Sequence, residues 1–379
     1  MRIVIAPDSF KECLSAIQVA SAISGGIQKI VPEAEIICIP IADGGEGTVE
    51  ALVSATGGRI IPTPSVDSLY RPIQSFYGIL GDGKTAVIEM AATSGIELIA
   101  SEERNPMISS TYGTGLLLKA AIEAGFTEII IGIGGSATND GGAGMAQALG
   151  FRLLDKNDNS IGWGGGSLNQ LHRIDSSNVH PLLRNIKITA ACDVQNPLLG
   201  PTGATLVYGS QKGATPEEIE ILEKNMAHFA EILFHEFGID YSNLPGAGAA
   251  GGLGAGLMAF CRAGMRPGFN LISKLTTLEE QIKNASLVFT AEGRIDTQTA
   301  YGKTISGVAQ LGKKHHVPVI AMTGMVSGDL TELYKQGLNS VFAIANRPMS
   351  LEESKANAAQ LLAATSEQIM RLITGIEKK

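Results

Sequence analysis

Ile131-Gly-Ile-Gly-Gly-Ser-Ala-Thr-Asn-Asp-Gly-Gly-Ala-Gly-Met-Ala-Gln-Ala-Leu-Gly150 is the stretch on which the reading of this chain turns. Before it, Thr127-Glu-Ile-Ile-Ile131 is a short β-branched run of the kind buried in parallel sheets. After it, Ala143 to Leu149 carries helix formers, and Gly150 stands where a C-cap belongs. The loop between holds Ser136, Thr138, Asn139 and Asp140. Glycine lets such a loop approach a ligand closely and take positive φ. Consecutive N–H groups, closed by a helix N-terminus, form an anion site, and phosphate is the expected guest.

The loop alone does not choose a cofactor. Gly132-x-Gly134-x-x-Ala137 fits a relaxed dinucleotide fingerprint, with Asp155 near the place of a ribose-binding acid. Against it, Gly141, Gly142 and Gly144 would weaken the helix that must follow. A Walker loop is absent: Gly302-Lys303-Thr304 resembles its tail, but Thr297 occupies the place of the first glycine. Gly246-Ala-Gly-Ala-Ala-Gly251 follows Ser242-Asn-Leu-Pro245 rather than a strand, so close helix packing explains it better.

Outward from the loop, 379 residues exceed one ordinary core and suggest two domains. Glycine accounts for 46 of them, well above the usual level of about 7%, and clusters at strand-to-helix junctions. A net charge of −8 argues against nucleic acid or an anionic membrane as partner. Cys13, Cys38, Cys192 and Cys261 lie far apart, as buried thiols in a reducing compartment would. Met1 runs directly into a strand and no apolar run reaches membrane length, so a cytoplasmic protein is expected.

Strand–loop–helix rhythm recurs at six strands, near 2–6, 35–39, 128–131, 287–290, 318–322 and 340–344. The remaining strands cluster at 59–90, 151–154 and 186–208. The pattern predicts an α/β protein. A Rossmann-like domain with a six-stranded parallel sheet takes residues 1–57, 93–136 and 270–379. An inserted mixed α/β domain takes 58–92 and 137–269, and the active site falls in the cleft between them. Gly162-Trp-Gly-Gly-Gly166 reads as a mobile surface loop, and Pro216 to Phe237 as an amphipathic helix. His228 and His235, seven apart without a metal-ligand pattern, read as ordinary helix residues.

Acids close four of the predicted parallel strands: Asp8, Asp43 with Glu46, Asp140, and Glu292 with Asp296. Singly, each could cap the helix that follows. Together on one sheet edge, beside an anion loop, they suit a Mg²⁺–phosphate site, since Mg²⁺ takes one or two carboxylates plus phosphate oxygens and water. Lys11, Arg294 and Lys303 could supply cations.

Five blocks together resemble the bacterial glycerate kinases, the type 1 family whose members usually make 2-phosphoglycerate. They are Ile5-Ala-Pro-Asp-Ser-Phe-Lys11, Ala42-Asp-Gly-Gly-Glu-Gly-Thr48, Ile133-Gly-Gly-Ser-Ala-Thr-Asn-Asp-Gly-Gly142, Cys192-Asp-Val-Gln-Asn-Pro-Leu198 and Thr290-Ala-Glu-Gly-Arg-Ile-Asp296. The resemblance implies ATP, Mg²⁺ and D-glycerate, with two interwoven domains. Phosphoryl transfer is mostly positioning and charge neutralisation. On that basis Gly134, Gly135, Ser136 and Asn139 are expected at the ATP phosphates, and Asp43, Glu46 and Asp296 at the metal. Lys11 and Arg294 are expected to serve the glycerate carboxylate or the transferring phosphoryl, with Asp8, Ser9 and Asn196 also on the substrate. Asp193 is the expected acceptor of the hydroxyl proton. An NAD(P)-dependent dehydrogenase of a small hydroxy acid, or a non-catalytic sugar-acid sensor, would use the same loops differently. Oligomeric state is left open.

Overall fold

The computed structural model describes residues 1–42, 44–300 and 304–377. Its strands, in chain order, are β1 (Arg2–Ile5), β2 (Glu35–Cys38), β3 (Arg59–Val66), β4 (Pro72–Ile79), β5 (Thr85–Glu89), β6 (Glu128–Gly132), β7 (Arg152–Leu154), β8 (Arg173–Asp175), β9 (Lys187–Ala191), β10 (Gly264–Arg266), β11 (Leu287–Ile295), β12 (Val319–Val326) and β13 (Ser340–Ala343). They form a five-stranded sheet in the order β13-β12-β11-β1-β2, a six-stranded sheet in the order β10-β9-β6-β5-β4-β3, and the pair β7-β8. The chain divides into two compact units. One comprises Met1–Asp43, Glu50–Thr56 and Phe269–Lys379; the other comprises Gly44–Val49 and Gly57–Gly268.

In the first unit every strand pairing is parallel. Ile3 and Ile5 of β1 sit opposite Leu287 and Phe289 of β11, and all four are buried, as a sheet covered on both faces requires. Helix Ala16–Gln28 opens with a capping box between Ser15 and Gln18. It packs on helix Ala358–Glu377 through Gly26, where a Cβ would lie 2.1 Å from the Ala363 carbonyl oxygen. The two helices therefore meet backbone to backbone, and Val19, Ile23, Leu362 and Met370 fill the core beside the strands.

The second unit mixes directions. β10, β9, β6 and β5 run parallel, and β4 and β3 extend the sheet as an antiparallel meander. Its core gathers Ile88, Ile131, Met145, Phe229, Leu253 and Phe260. Helix Pro216–Phe237 has the expected bounds: Thr215 and Glu218 form a capping box, and Gly238 ends it at φ 70°.

This arrangement corrects the six-stranded expectation. β6 lies between β5 and β9, so the first unit's sheet has five strands, and residues 93–136 fold with the second unit. Strand–helix alternation identifies a parallel strand but does not say which sheet receives it. β6 is buried along Ile129–Gly132 and β5 along its whole length, so each needs a neighbour on both sides. The expected 186–208 strand cluster also ends early, since Ala204–Tyr208 is helical. Gly162–Gly166 is held rather than loose. Trp163 stacks on Tyr70, the Gly166 N–H donates to the Met107 carbonyl at 2.9 Å, and Asn225 Nδ2 donates to the Gly165 carbonyl at 3.0 Å. The four thiols are free, although Cys38 is exposed rather than buried. Among the described residues no helix is long and apolar enough to cross a membrane.

Candidate active site

Strand register gathers one set of groups in the second unit. Glu89 pairs with Gly132 and Gly132 with Ala191, so β5, β6 and β9 end together. Carboxyl ends of parallel strands are where open α/β sheets place ligands. The segment Gly44–Glu46 lies across these ends. The Gly134 N–H donates to the Gly44 carbonyl at 2.9 Å. A Cβ on Gly44, which has φ 89°, would stand 2.7 Å from the Ala191 oxygen, and one on Gly134 would stand 2.7 Å from Gly45 Cα. Backbone touches backbone here, which only glycine permits. Segments carrying Glu46, Gly134, Gly135, Ser136 and Asp193 thus share one edge, with Glu46 exposed. Asp43 and Lys303 lie outside the described residues.

The opening loop works differently from the expectation. Asp140 is fully buried, and its carboxylate accepts from the N–H groups of Thr111 (2.9 Å), Gly142 (3.1 Å) and Gly144 (3.2 Å) and from Thr111 Oγ1. Burial raises its pKa, and the bonds from Thr111, Gly144 and Gly142 oppose the rise. The helix beginning at Ala143 has only six residues, and the anion at its start is Asp140 itself. Asp140 is therefore an internal anchor. The four acid-bearing loops do not share one sheet edge either, because Asp140 follows β6 of the second unit, whereas Asp8 and Glu292 belong to the first. Anion-binding capacity lies earlier, at Gly135 (φ 75°) and Ser136, whose N–H groups bond nothing among the described residues. Asn139 is buried and donates to Thr205 Oγ1 at 3.1 Å, so it supports the loop from within.

Two groups escaped the sequence reading. Lys212 is buried beneath the loop and donates to Ser136 Oγ at 2.7 Å and to the Thr138 carbonyl at 2.6 Å. Burial pulls its pKa down to about 7, with the Asp140 charge opposing. Set in Gly209-Ser-Gln-Lys-Gly213, it reads in sequence as a surface-turn lysine, and nothing local signals its burial. Glu89 is buried at the end of β5 and accepts from the Val49 N–H at 3.3 Å. It did carry a signal, the acid at a strand's end used for the other loops.

Asp193 follows β9, and its Oδ1 accepts from the Gly268 N–H at 2.8 Å. Asn196 is occupied by its own loop: Nδ2 donates to the Thr202 carbonyl and Oδ1 accepts from the Tyr208 hydroxyl, each at 2.8 Å. Its expected substrate contact finds no support in this geometry.

In the first unit, Asp8, Ser9, Lys11, Arg294 and Asp296 do come together, lining a cavity of about 550 Å³ with an apolar wall that includes Phe10, Met325 and Leu351. Asp8 is buried; Oδ1 accepts from the Ser9 N–H at 2.7 Å and Oδ2 from Thr304 Oγ1 at 2.8 Å. Arg294 is largely exposed and pairs with Asp296 Oδ2 at 3.1 Å. The other Asp296 oxygen accepts from the Gln298 N–H at 2.9 Å, capping a short turn. Among the described residues no three acids, histidines or cysteines gather to hold a metal by themselves. Mg²⁺ needs only one or two carboxylates beside phosphate and water, and the exposed Glu46 lies on the segment that crosses the ends of β5, β6 and β9.

The dinucleotide reading gains nothing. The strand-to-helix loop runs from Ile133 to Gly142 instead of turning tightly, and Asp155 accepts from the N–H groups of Asn157 and Asn159. The model of the glycerate kinase family matches residues 3–374. A glycerate kinase of Bacillus subtilis (strain 168) is 48% identical over 369 residues, covering 97% of both chains. A glycerate 2-kinase of Escherichia coli (strain K12) is likewise 48% identical over 369 residues and 97% of each. A crystal structure from Salmonella typhimurium LT2, described as a candidate glycerate kinase 2, superposes with a TM-score of 0.88 at 45% identity, covering 100% of both chains. The likeness spans both units and every loop described above, and the chain belongs to the glycerate kinase family.

Proposed function

We propose that this chain transfers the γ-phosphoryl of ATP to the 2-hydroxyl of D-glycerate, giving 2-phosphoglycerate, with Mg²⁺ bound. One observation carries the reading: the full-length family match falls on a chain whose β5, β6 and β9 end together at an N–H-rich glycine loop. Gly134, Gly135 and Ser136 receive the ATP phosphates, Gly135 and Ser136 through their N–H groups and Gly134 by allowing the close backbone packing. Asn139 holds that loop in shape. Asp193, which follows β9 of the same sheet, accepts the hydroxyl proton. Lys11 and Arg294 neutralise the glycerate carboxylate or the transferring phosphoryl at the first unit's cavity, where Asp8 and Ser9 also lie. The cavity has more room than a three-carbon acid fills. Asp43, Glu46 and Asp296 are the metal candidates. Mg²⁺, when bound, neutralises phosphate charge.

The test is ADP release measured with MgATP and D-glycerate, L-glycerate or neither. Turnover is expected only with the D-acid. Glycerate binding without ADP release would leave a sensor, and tight NADH binding without ATP turnover would leave a dehydrogenase.

A further inference from the structure

Lys212 has no part in the expected chemistry, yet its setting is unusual for a lysine. It ends the 3₁₀ turn Ser210–Lys212, and Gly213 beyond it takes φ 95°. Only 2% of it meets solvent. Two of the three ammonium N–H donors are engaged, on Ser136 Oγ and on the Thr138 carbonyl, and both acceptors are neutral. A buried ammonium held by neutral oxygens is unfavourable unless an anion shares its surroundings. The protein's own nearby anion, Asp140, is already engaged by Thr111, Gly142 and Gly144.

We propose that Lys212 is a positioning residue of the phosphate loop: it orients the Ser136 hydroxyl and, when a polyphosphate binds at Gly135–Ser136, takes up a proton to complete the charge of the site. This rests on the reading of that loop as the ATP phosphate site. The link is short: Nζ donates to Ser136 Oγ and to the Thr138 carbonyl, both on the loop whose Gly135 and Ser136 N–H groups would meet the phosphate. Facing groups leave the balance open in the absence of ligand. Ser136 and Thr138 from the loop and Ser210 and Gln211 from its own turn are neutral. Asp140 opposes the loss of charge, and Arg104 lies against the adjoining Gly213. With burial bringing Lys212 to about 7, a substantial fraction is neutral at physiological pH. A bound polyanion favours the charged form and raises that pKa. Below about pH 7 the lysine is already charged and donor affinity is flat with pH. Above it, binding takes up a proton, and affinity falls by up to about tenfold per pH unit.

Calorimetry of ATP binding to the full chain at pH 8, in two buffers of different ionisation enthalpy, reads the proton directly. Wild type is expected to take up a substantial fraction of a proton, since much of a group titrating near 7 is neutral at pH 8. Lys212→Arg keeps a charge that does not titrate, so ATP should bind with uptake near zero. Lys212→Met should bind ATP about 10- to 100-fold more weakly at pH 6.5. ATP binding to wild type without proton uptake, or uptake persisting in Lys212→Arg, overturns the proposal. If the variants do not fold, the wild-type experiment still decides, because uptake must appear with a midpoint near pH 7. Amide exchange separates the two readings. ATP that fails to bind, or leaves the Gly135 and Ser136 amides unprotected, removes the loop assignment. Protection of those amides without proton uptake removes only the role of Lys212.

Discussion

Asp193 is given two tasks, and two substitutions separate them. Its Oδ1 accepts the N–H of Gly268, the first residue of helix Gly268–Leu275, at 2.8 Å, so the side chain caps that helix from a distant loop. It is also the proposed proton acceptor. Asn at this position keeps an amide oxygen for the Gly268 N–H but cannot take a proton. Ala loses both. Loss of a cap is worth about 1–2 kcal/mol, which lowers Tm by roughly 1–3 °C in a protein of 379 residues. Loss of a positioned base is worth about 10²–10⁴ in rate. Asp193→Asn should therefore melt close to wild type with kcat down by about 10²–10⁴, and Asp193→Ala should show a similar kcat loss and the lower Tm. KM for glycerate should move little in either. Steady-state ADP release and calorimetric melting read both quantities. If Asp193→Asn keeps wild-type kcat, Asp193 is a cap alone and the base passes to Asp8 or Asp43.

Three further outcomes follow from the geometry. Asp140→Ala leaves the N–H groups of Thr111, Gly142 and Gly144 buried without their acceptor, and urea unfolding should show a loss of about 3–5 kcal/mol; a loss below 1 kcal/mol would mean the anchor is dispensable. Gly132→Ala puts a Cβ 2.4 Å from the Gly44 oxygen, so stability should fall by about 1–3 kcal/mol and KM for ATP should rise, whereas unchanged kinetics would show that the Gly44–Glu46 segment does not shape the donor site. Arg294→Met removes a largely exposed charge, so Tm should hold within about 2 °C while KM for glycerate rises about tenfold or more; an unaltered KM would remove Arg294 from the acceptor site.

The sequence disclosed the local structure more fully than the assembly. Helix Pro216–Phe237 was legible because Thr215, Pro216, Glu218 and Gly238 each signal a boundary through backbone chemistry. β6 was legible as a parallel strand from its isoleucines, but its sheet was not, because pairing partners at 85–89 and 187–191 are a tertiary choice. The same limit governed the site. The glycines at 44 and 134 announced close backbone approach, yet only the fold shows that they approach each other. Asp140 read as one of the site acids because its donor Thr111 comes from about thirty residues away. Lys212 was invisible for a related reason: its burial is created by Ser136 and Thr138, more than seventy positions earlier.

The central claim is a phosphoryl transfer to one particular hydroxyl, and proton-coupled phosphorus NMR of a mixture of the chain, ATP, Mg²⁺ and D-glycerate observes it directly. The γ-phosphate signal of ATP should decline as a new phosphomonoester resonance grows, split into a doublet by the single proton on C2. A triplet, from the two protons of C3, would contradict the regiochemistry, and an unchanged ATP spectrum would contradict the activity.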